Sequence, residues 1–216
     1  MIVIDFTLAT AHRHGAAFYD YLGLRKRYFV DGLHWDLPHD DEVEMDQYDN
    51  PAAHYVLATE GGAVLGGARG MSMTAAWGRH SNMLRDARDG LLPGIDPAIV
   101  PGETDFARCW ECTRFVLSRR LATRAARADA ITGLLDRICG IVRDHGGERV
   151  MSLSPLPMVR TLRQLGYAAE RRGAAYTCPE DGRRYAVIDM PASARNRTLQ
   201  PAMRSPVAGA ESRRAA

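Results

Sequence analysis

Three observations on the 216-residue chain predict one mixed-sheet α/β sandwich with helices on both faces. The hydrophobic periodicity runs strand, helix, two strands, then strand, helix, strand, helix and further strands. Gly61-Gly62 between two strand-like runs makes the early strands an antiparallel hairpin. The composition, 46% hydrophobic and 25% charged with no internal repeat, is that of an ordinary packed domain.

Residues 2–8 (IVIDFTL) alternate as a short strand, and 11–31 place Phe18, Tyr21, Leu22, Arg25, Tyr28 and Phe29 at helical spacing. Residues 34–51 have no clean period and hold seven acids with no Lys or Arg, so they read as an exposed, mobile acidic loop. The runs 54–60 and 63–73 form the hairpin, and Gly66-Gly67 within its second arm marks a bulge or a close backbone approach. Residues 75–105 read as loop with one helical turn at 81–88, then 109–117 as a strand and 123–145 as an amphipathic helix closed by Gly146-Gly147. A strand at 149–153, a short helix at 155–165, and strands at 167–170, 174–178 and 184–190 complete the domain, 1–190. The tail, 191–216, rich in Ala, Arg, Ser and Pro, reads as disordered.

Charge and cysteine content narrow the function classes. Net charge is +2, and Lys26 is the only lysine among 28 basic residues. The tail carries a net +4 and the body −2, so no clustered basic surface suggests nucleic acid. No apolar run approaches the ~20 residues of a membrane span, and the N-terminus lacks a basic leader, which predicts a cytoplasmic protein. Cys109, Cys112, Cys139 and Cys178 are too few and too scattered for a disulfide framework or a zinc site, so no metal is expected. Cys109 and Cys112 form a CxxC, but on a strand they face opposite sides and read as small buried side chains.

Glu111 and Arg114, three apart on the same strand, also face opposite sides unless a bulge intervenes. A buried carboxylate or guanidinium needs partners, and Arg25, Asp46, Asp49 and Arg69 supply candidates for an ionic cluster. The acidic loop interleaves Trp35, Met45 and Tyr48 with its carboxylates, a pattern suited to a cationic ligand.

The order and spacing of Arg25, Phe29, Trp35, Asp46, Asp49, Arg69, Glu111 and Arg114-Phe115 resemble the signature of the acyl-homoserine-lactone synthases, which make bacterial quorum-sensing signals. Local phrases agree: LRKRYF, the ExDxYD of Glu44 to Asp49, and WECTRF. The resemblance spans residues 1 to about 190 and implies a fold similar to the GNAT acyltransferases, with two strands splayed to admit an acyl thioester. Two segments depart from the family pattern. Arg88 stands where an aromatic residue is usual, and Ser152 to Pro157 replaces a threonine-bearing stretch of the acyl pocket.

The reaction so implied joins S-adenosylmethionine to an acyl thioester of acyl-carrier protein or coenzyme A, both as substrates, with no cofactor. The α-amine attacks the thioester carbonyl, and the carboxylate then displaces methylthioadenosine to close the lactone. The resemblance assigns Glu111, Arg69 and Arg114 to catalysis, with Glu111 the candidate base. Arg25, Phe29, Trp35, Asp46, Asp49, Arg114 and Phe115 are assigned to S-adenosylmethionine, with Asp46 the preferred partner of its cationic end. Met83, Met151, Ser152 and Leu153 are assigned to the acyl pocket. Arg119, Arg120, Arg124 and Arg127 form a basic run suited to an acidic carrier protein or coenzyme A phosphates, or simply a solvated helix face. Two other readings stand beside this one. A GNAT-type N-acyltransferase acting on another amine leaves Trp35 and the acidic loop unexplained, and a non-catalytic sensor has no need of so many buried charges. Acyl length and oligomeric state are not legible.

Overall fold

The computed structural model describes residues 1–102 and 104–196. Seven strands form one sheet in the order β1-β2-β3-β4-β5-β7-β6. They are β1 (Ile2–Thr7), β2 (His54–Glu60), β3 (Ala63–Ser72), β4 (Cys109–Leu117), β5 (Arg149–Pro155), β6 (Glu170–Thr177) and β7 (Arg184–Pro191). Only β4 and β5 are parallel, joined by the crossover helix α3 (Arg124–Asp144). The other helices are α1 (Ala17–Arg25), α2 (Met83–Arg88) and α4 (Pro157–Gln164).

Strand alternation decides which face each element covers. Val56, Ala58, Ala68, Trp110, Cys112, Val150 and Ile188 point to one face and pack under α3 through Ile131, Leu134, Leu135 and Ile138, with Leu162 of α4 beside them. Tyr55, Leu57, Met71 and Val116 point to the other and meet Tyr21 and Leu24 of α1, with Phe29, Leu33 and Tyr48 following. α3 starts where the Thr123 side chain accepts from Ala126 N–H at 3.1 Å. It stops at Gly146, whose φ of 73° a side chain would strain.

The hairpin forms as expected, with Gly61 and Gly62 both at positive φ. At Gly67 a Cβ would lie 2.6 Å from the Tyr21 ring and 2.5 Å from Leu57, so the glycine is needed for α1 to lie this close to β3.

Four local readings change. The helix expected over 11–31 is broken: a 3-10 turn at Ala11–His14, α1 after Gly15, and a π turn at Lys26–Val30 that carries Phe29 inward. The acidic loop is not a solvated surface, because Glu44, Asp46 and Asp49 are buried while Asp36, Asp40, Asp41 and Glu42 are exposed. The strands expected at 167–170 and 174–178 are one strand, β6, carried through a register shift near Gly173, where φ is 63°. The body also reaches beyond 190: Ala192 is buried, its N–H bonding Glu148, and Arg195 pairs with Asp136. The rest of the tail, 197–216, lies outside the described residues.

Candidate active site

β4 and β5 pair over three residues only, from Cys109↔Arg149 to Glu111↔Met151. Beyond that point both strands continue, to Leu117 and Pro155, without pairing, and a gap opens between them. The chemistry-bearing side chains lie around this splay.

A bulge in β4 brings Glu111 and Arg114 to one face. The β3–β4 register jumps between Gly67↔Val116 and Arg69↔Thr113, so two residues of β4 stand opposite Ala68. Arg114 takes φ 52°, and its carbonyl accepts from the Tyr21 hydroxyl at 2.8 Å. The bulge expected as an exception is therefore what the strand contains.

Three guanidiniums and three carboxylates interlock there. Arg25, fully buried, meets Asp49 through two bonds of 2.8 Å and Glu44 at 2.6 Å. Arg69 meets Asp46 at 2.6 and 3.2 Å, and its Nε donates to Thr113 at 3.2 Å. Arg114 meets Asp46 at 2.6 Å and Glu44 at 3.3 Å. Each charge has opposite partners, which offsets the cost of desolvation. Asp49 and Asp46 are held below the ordinary carboxylate range because Arg69, with Arg25 for Asp49 and Arg114 for Asp46, outweighs a burial that acts the other way. Tyr55 caps the cluster, its hydroxyl bonding Asp49 at 3.1 Å.

The cluster absorbs Asp46, which also accepts from Tyr48 N–H. Both its oxygens accept from guanidiniums, Oδ1 from Arg69 and Oδ2 from Arg69 and Arg114. Arg25 and Arg69 spend all three nitrogens on described partners, whereas Arg114 uses Nε and Nη2 and leaves Nη1 outside these bonds. Glu44 was given no role by the sequence reading. Its signal was present in the ExDxYD phrase, two residues before Asp46.

Glu111 stands on the same face but outside the cluster. Its carboxylate accepts Leu84 N–H at 2.7 Å and Met83 N–H at 3.0 Å, at the start of α2. Burial pushes its pKa up to about 7, against the lowering pull of those N–H groups and of Arg69.

Phe29 and Trp35 stack at 5.2 Å between ring centres, and the Arg114 guanidinium lies over Phe29 at 5.4 Å. Phe115 does not join them. Beyond the bulge it points to the α3 face, where it lines an apolar cavity of about 450 Å³, including space open to solvent. Cys112, Ile131, Leu135, Ser152, Ser154 and Met158 line the same cavity. The residues assigned to an acyl pocket divide accordingly: Ser152 faces this cavity, whereas Met83, Met151 and Leu153 pack with Met73 and Leu84 on the Glu111 face. Strand alternation separates them, since 151 and 153 share one side and 152 takes the other. The CxxC divides the same way, with Cys109 in the Met151 cluster and Cys112 at the cavity, its thiol pushed up to about 12 by burial. Arg119, Arg120, Arg124 and Arg127 are all exposed just past the open end of β4.

A mixed sheet with one splayed parallel pair, a buried carboxylate on one side of the gap and an apolar cavity on the other, defines the GNAT-like acyltransferase class. As fold alone, a protein of Lactobacillus plantarum described as an N-acetyltransferase superposes with a TM-score of 0.53 at 14% identity, over 89% of this chain and 100% of its own. Within that class the chain belongs to the autoinducer synthase family, whose sequence model matches residues 10–198. An acyl-homoserine-lactone synthase of Ralstonia solanacearum is 33% identical over 154 residues, 69% of this chain and 70% of its own. The crystal structure of TofI in a ternary complex with an inhibitor and MTA superposes at TM-score 0.69 and 25% identity, covering 92% of this chain and 96% of that one. BjaI, a CoA-dependent acyl-homoserine lactone synthase solved with SAM and isopentyl-CoA, gives 0.72 at 18%, covering 92% and 85%. Among the described residues no helix is long and apolar enough to cross a membrane.

Proposed function

We propose that the protein is an acyl-homoserine-lactone synthase, joining S-adenosylmethionine to an acyl thioester and releasing methylthioadenosine. One observation carries this reading: the β4–β5 splay separates a polar, ion-paired face bearing Glu111 from an apolar cavity on the other side of the same sheet. An amine held on the first face reaches a thioester carbonyl in the gap while the acyl chain occupies the cavity. Family membership and the ligands named for TofI and BjaI support the same pair of substrates.

The geometry supports the following roles. Glu111, with its pKa pushed up to about 7, accepts a proton from the substrate ammonium, directly or through water. Arg114 offers Nη1 to the substrate carboxylate, and its other nitrogens stay fixed by Glu44 and Asp46. Arg25, Arg69, Glu44, Asp46 and Asp49 hold Arg114 and the loop. Phe29 and Trp35 wall the sulfonium end through their π faces. Backbone N–H groups along the unpaired edge of β4 answer the oxyanion. Both bonds are made by nucleophilic displacement, which calls for no redox group or metal. The exposed arginines after β4 suit the phosphates of coenzyme A or an acidic carrier protein. With these substrates the proposal includes a cytoplasmic location.

The test is incubation with S-adenosylmethionine and a panel of acyl-carrier-protein and acyl-coenzyme A thioesters, followed by mass spectrometry. Free thiol, methylthioadenosine and a lactone of matching acyl mass should appear in equal amounts. Thiol release that needs no S-adenosylmethionine and is driven by another amine would replace this reading with a general N-acyltransferase.

A further inference from the structure

We propose that Asp181, in the turn between β6 and β7, is a positioning residue for S-adenosylmethionine, clasping Trp35 across the open end of the β4–β5 splay. The inference rests on the reading of Trp35 as a wall of that substrate's site.

Trp35 and Asp181 are 146 residues apart, yet the indole Nε1–H donates to Asp181 Oδ2 at 3.1 Å. The same oxygen accepts from the Tyr185 hydroxyl at 2.6 Å, and Oδ1 accepts from Arg183 N–H at 2.9 Å. A second bond joins the same two segments, from Asp36 N–H to Glu180 Oε1 at 3.2 Å. The Trp35 ring is thus held between Phe29, stacked at 5.2 Å, and Tyr185, edge-on at 5.8 Å.

Topology gives this contact its meaning. Trp35 follows α1, which packs on β3 and β4, on one side of the gap. The turn bearing Asp181 leads into β7, whose Tyr185 pairs with Pro155 at the far end of β5, on the other side. β4 and β5 have separated by then, and no backbone ladder joins them there. The side-chain clasp is what spans the two halves at the end where a thioester must enter. Trp35 lies in a segment with no regular structure, and without Asp181 its indole N–H turns to water and the ring is free to leave Phe29.

The experiment measures S-adenosylmethionine binding by titration calorimetry in the full-length protein, without acyl donor, and checks each variant's melting temperature. Asp181→Ala should weaken binding about five- to tenfold, the size expected for losing one ordinary, partly solvated hydrogen bond. Asp181→Asn, whose amide oxygen still accepts from the indole, should stay within about twofold of wild type. In Trp35→Phe, which keeps a ring but has no N–H, adding Asp181→Ala should cause no further loss, as coupled residues require. Wild-type affinity in a folded Asp181→Ala variant, or losses that multiply in the double variant, would overturn the clasp. Failure of the underlying reading looks different: Trp35→Ala would then bind S-adenosylmethionine as well as wild type.

Discussion

Arg25, Arg69 and Arg114 against Glu44, Asp46 and Asp49 form a neutral set that is costly to open, since removing one member leaves a buried charge worth about 3–5 kcal/mol of lost stability. Glu111 is a buried carboxylate of this face that the set does not neutralise, and its environment fits it for proton transfer. As a base it works only when ionised, so kcat/KM should rise with pH through about 7 and level off above, the midpoint following the carboxylate's raised pKa. Glu111→Gln keeps the shape and removes the base. Lactone formation should fall by about 100-fold or more while S-adenosylmethionine still binds, a general-base contribution of ordinary size. A variant with near wild-type turnover and an unchanged pH profile would remove Glu111 from the mechanism. Five of the six clustered charges were legible in the sequence, because Arg25, Asp46, Asp49, Arg69 and Arg114 needed partners. Glu44 was not singled out, because four exposed acids precede it in the same segment and only its place in the ExDxYD phrase sets it apart from them.

Elements set these residues where they are, and the β4 bulge is the decisive one. Without its extra residue, Arg114 would face α3 and Phe115 would face the ion cluster. Alternation in CWECTRFVL gave no sign of it, since a bulge depends on the opposing strand and on the Tyr21 hydroxyl that holds the Arg114 carbonyl. The break in the 11–31 helix was hidden for a related reason: apolar spacing continues across it, while the π turn at Lys26–Val30 is fixed by tertiary contacts of Phe29. Gly66-Gly67, by contrast, was readable as a bulge or a close approach, and both are there: the β2–β3 register shifts between Val64 and Gly66, and at Gly67 only a missing Cβ tolerates Tyr21. Gly67→Ala should therefore destabilise the protein by about 1–3 kcal/mol through overpacking, measured by urea unfolding. Because Tyr21 is displaced along with Leu57, the same variant should lose activity in proportion to its effect on Arg114, even below its melting temperature. Unaltered stability and turnover would mean that α1 does not lie as close to β3 as the fold requires.

At the scale of the whole molecule, one sheet separates an ion-paired face from an apolar cavity, and the order of strands and helices foretold that sheet and its two helical layers in outline. The sequence did not reveal which residues face which side, because the splay and the bulge both shift the alternation that such a reading depends on. The ionic face should govern acid stability. Asp46 and Asp49 have native pKa values below the unfolded value of about 3.9, so the unfolded chain binds more protons at low pH. The stability they contribute is complete above about pH 4 and is lost as pH falls through their native pKa values. Unfolding free energy should fall below about pH 4, and less steeply in Asp49→Asn; identical acid profiles would exclude that carboxylate as a source.

The apolar face should govern the acyl donor alone. Ser152 and Ser154, their hydroxyls 3.0 Å apart, stand on β5 at the cavity, on the side of the sheet away from Glu111 and Arg114. Ser152→Leu fills part of that space without touching the ion cluster or the Trp35 wall. Since each methylene of fit or misfit in an apolar pocket is worth about 1–3 kcal/mol, kcat/KM for the longest accepted acyl thioester should fall by about tenfold or more. Short acyl donors should be spared, and the KM for S-adenosylmethionine should stay within about twofold. Steady-state kinetics across an acyl-length series, run at saturating S-adenosylmethionine, reads all three quantities. A uniform loss at every length would mean that the chain lies elsewhere, and a matching rise in the S-adenosylmethionine KM would mean that the two faces are not independent. The split between them is therefore testable by one substitution, because in the proposed reading the sheet that separates the substrates also carries, on β4, the residues that bring them together.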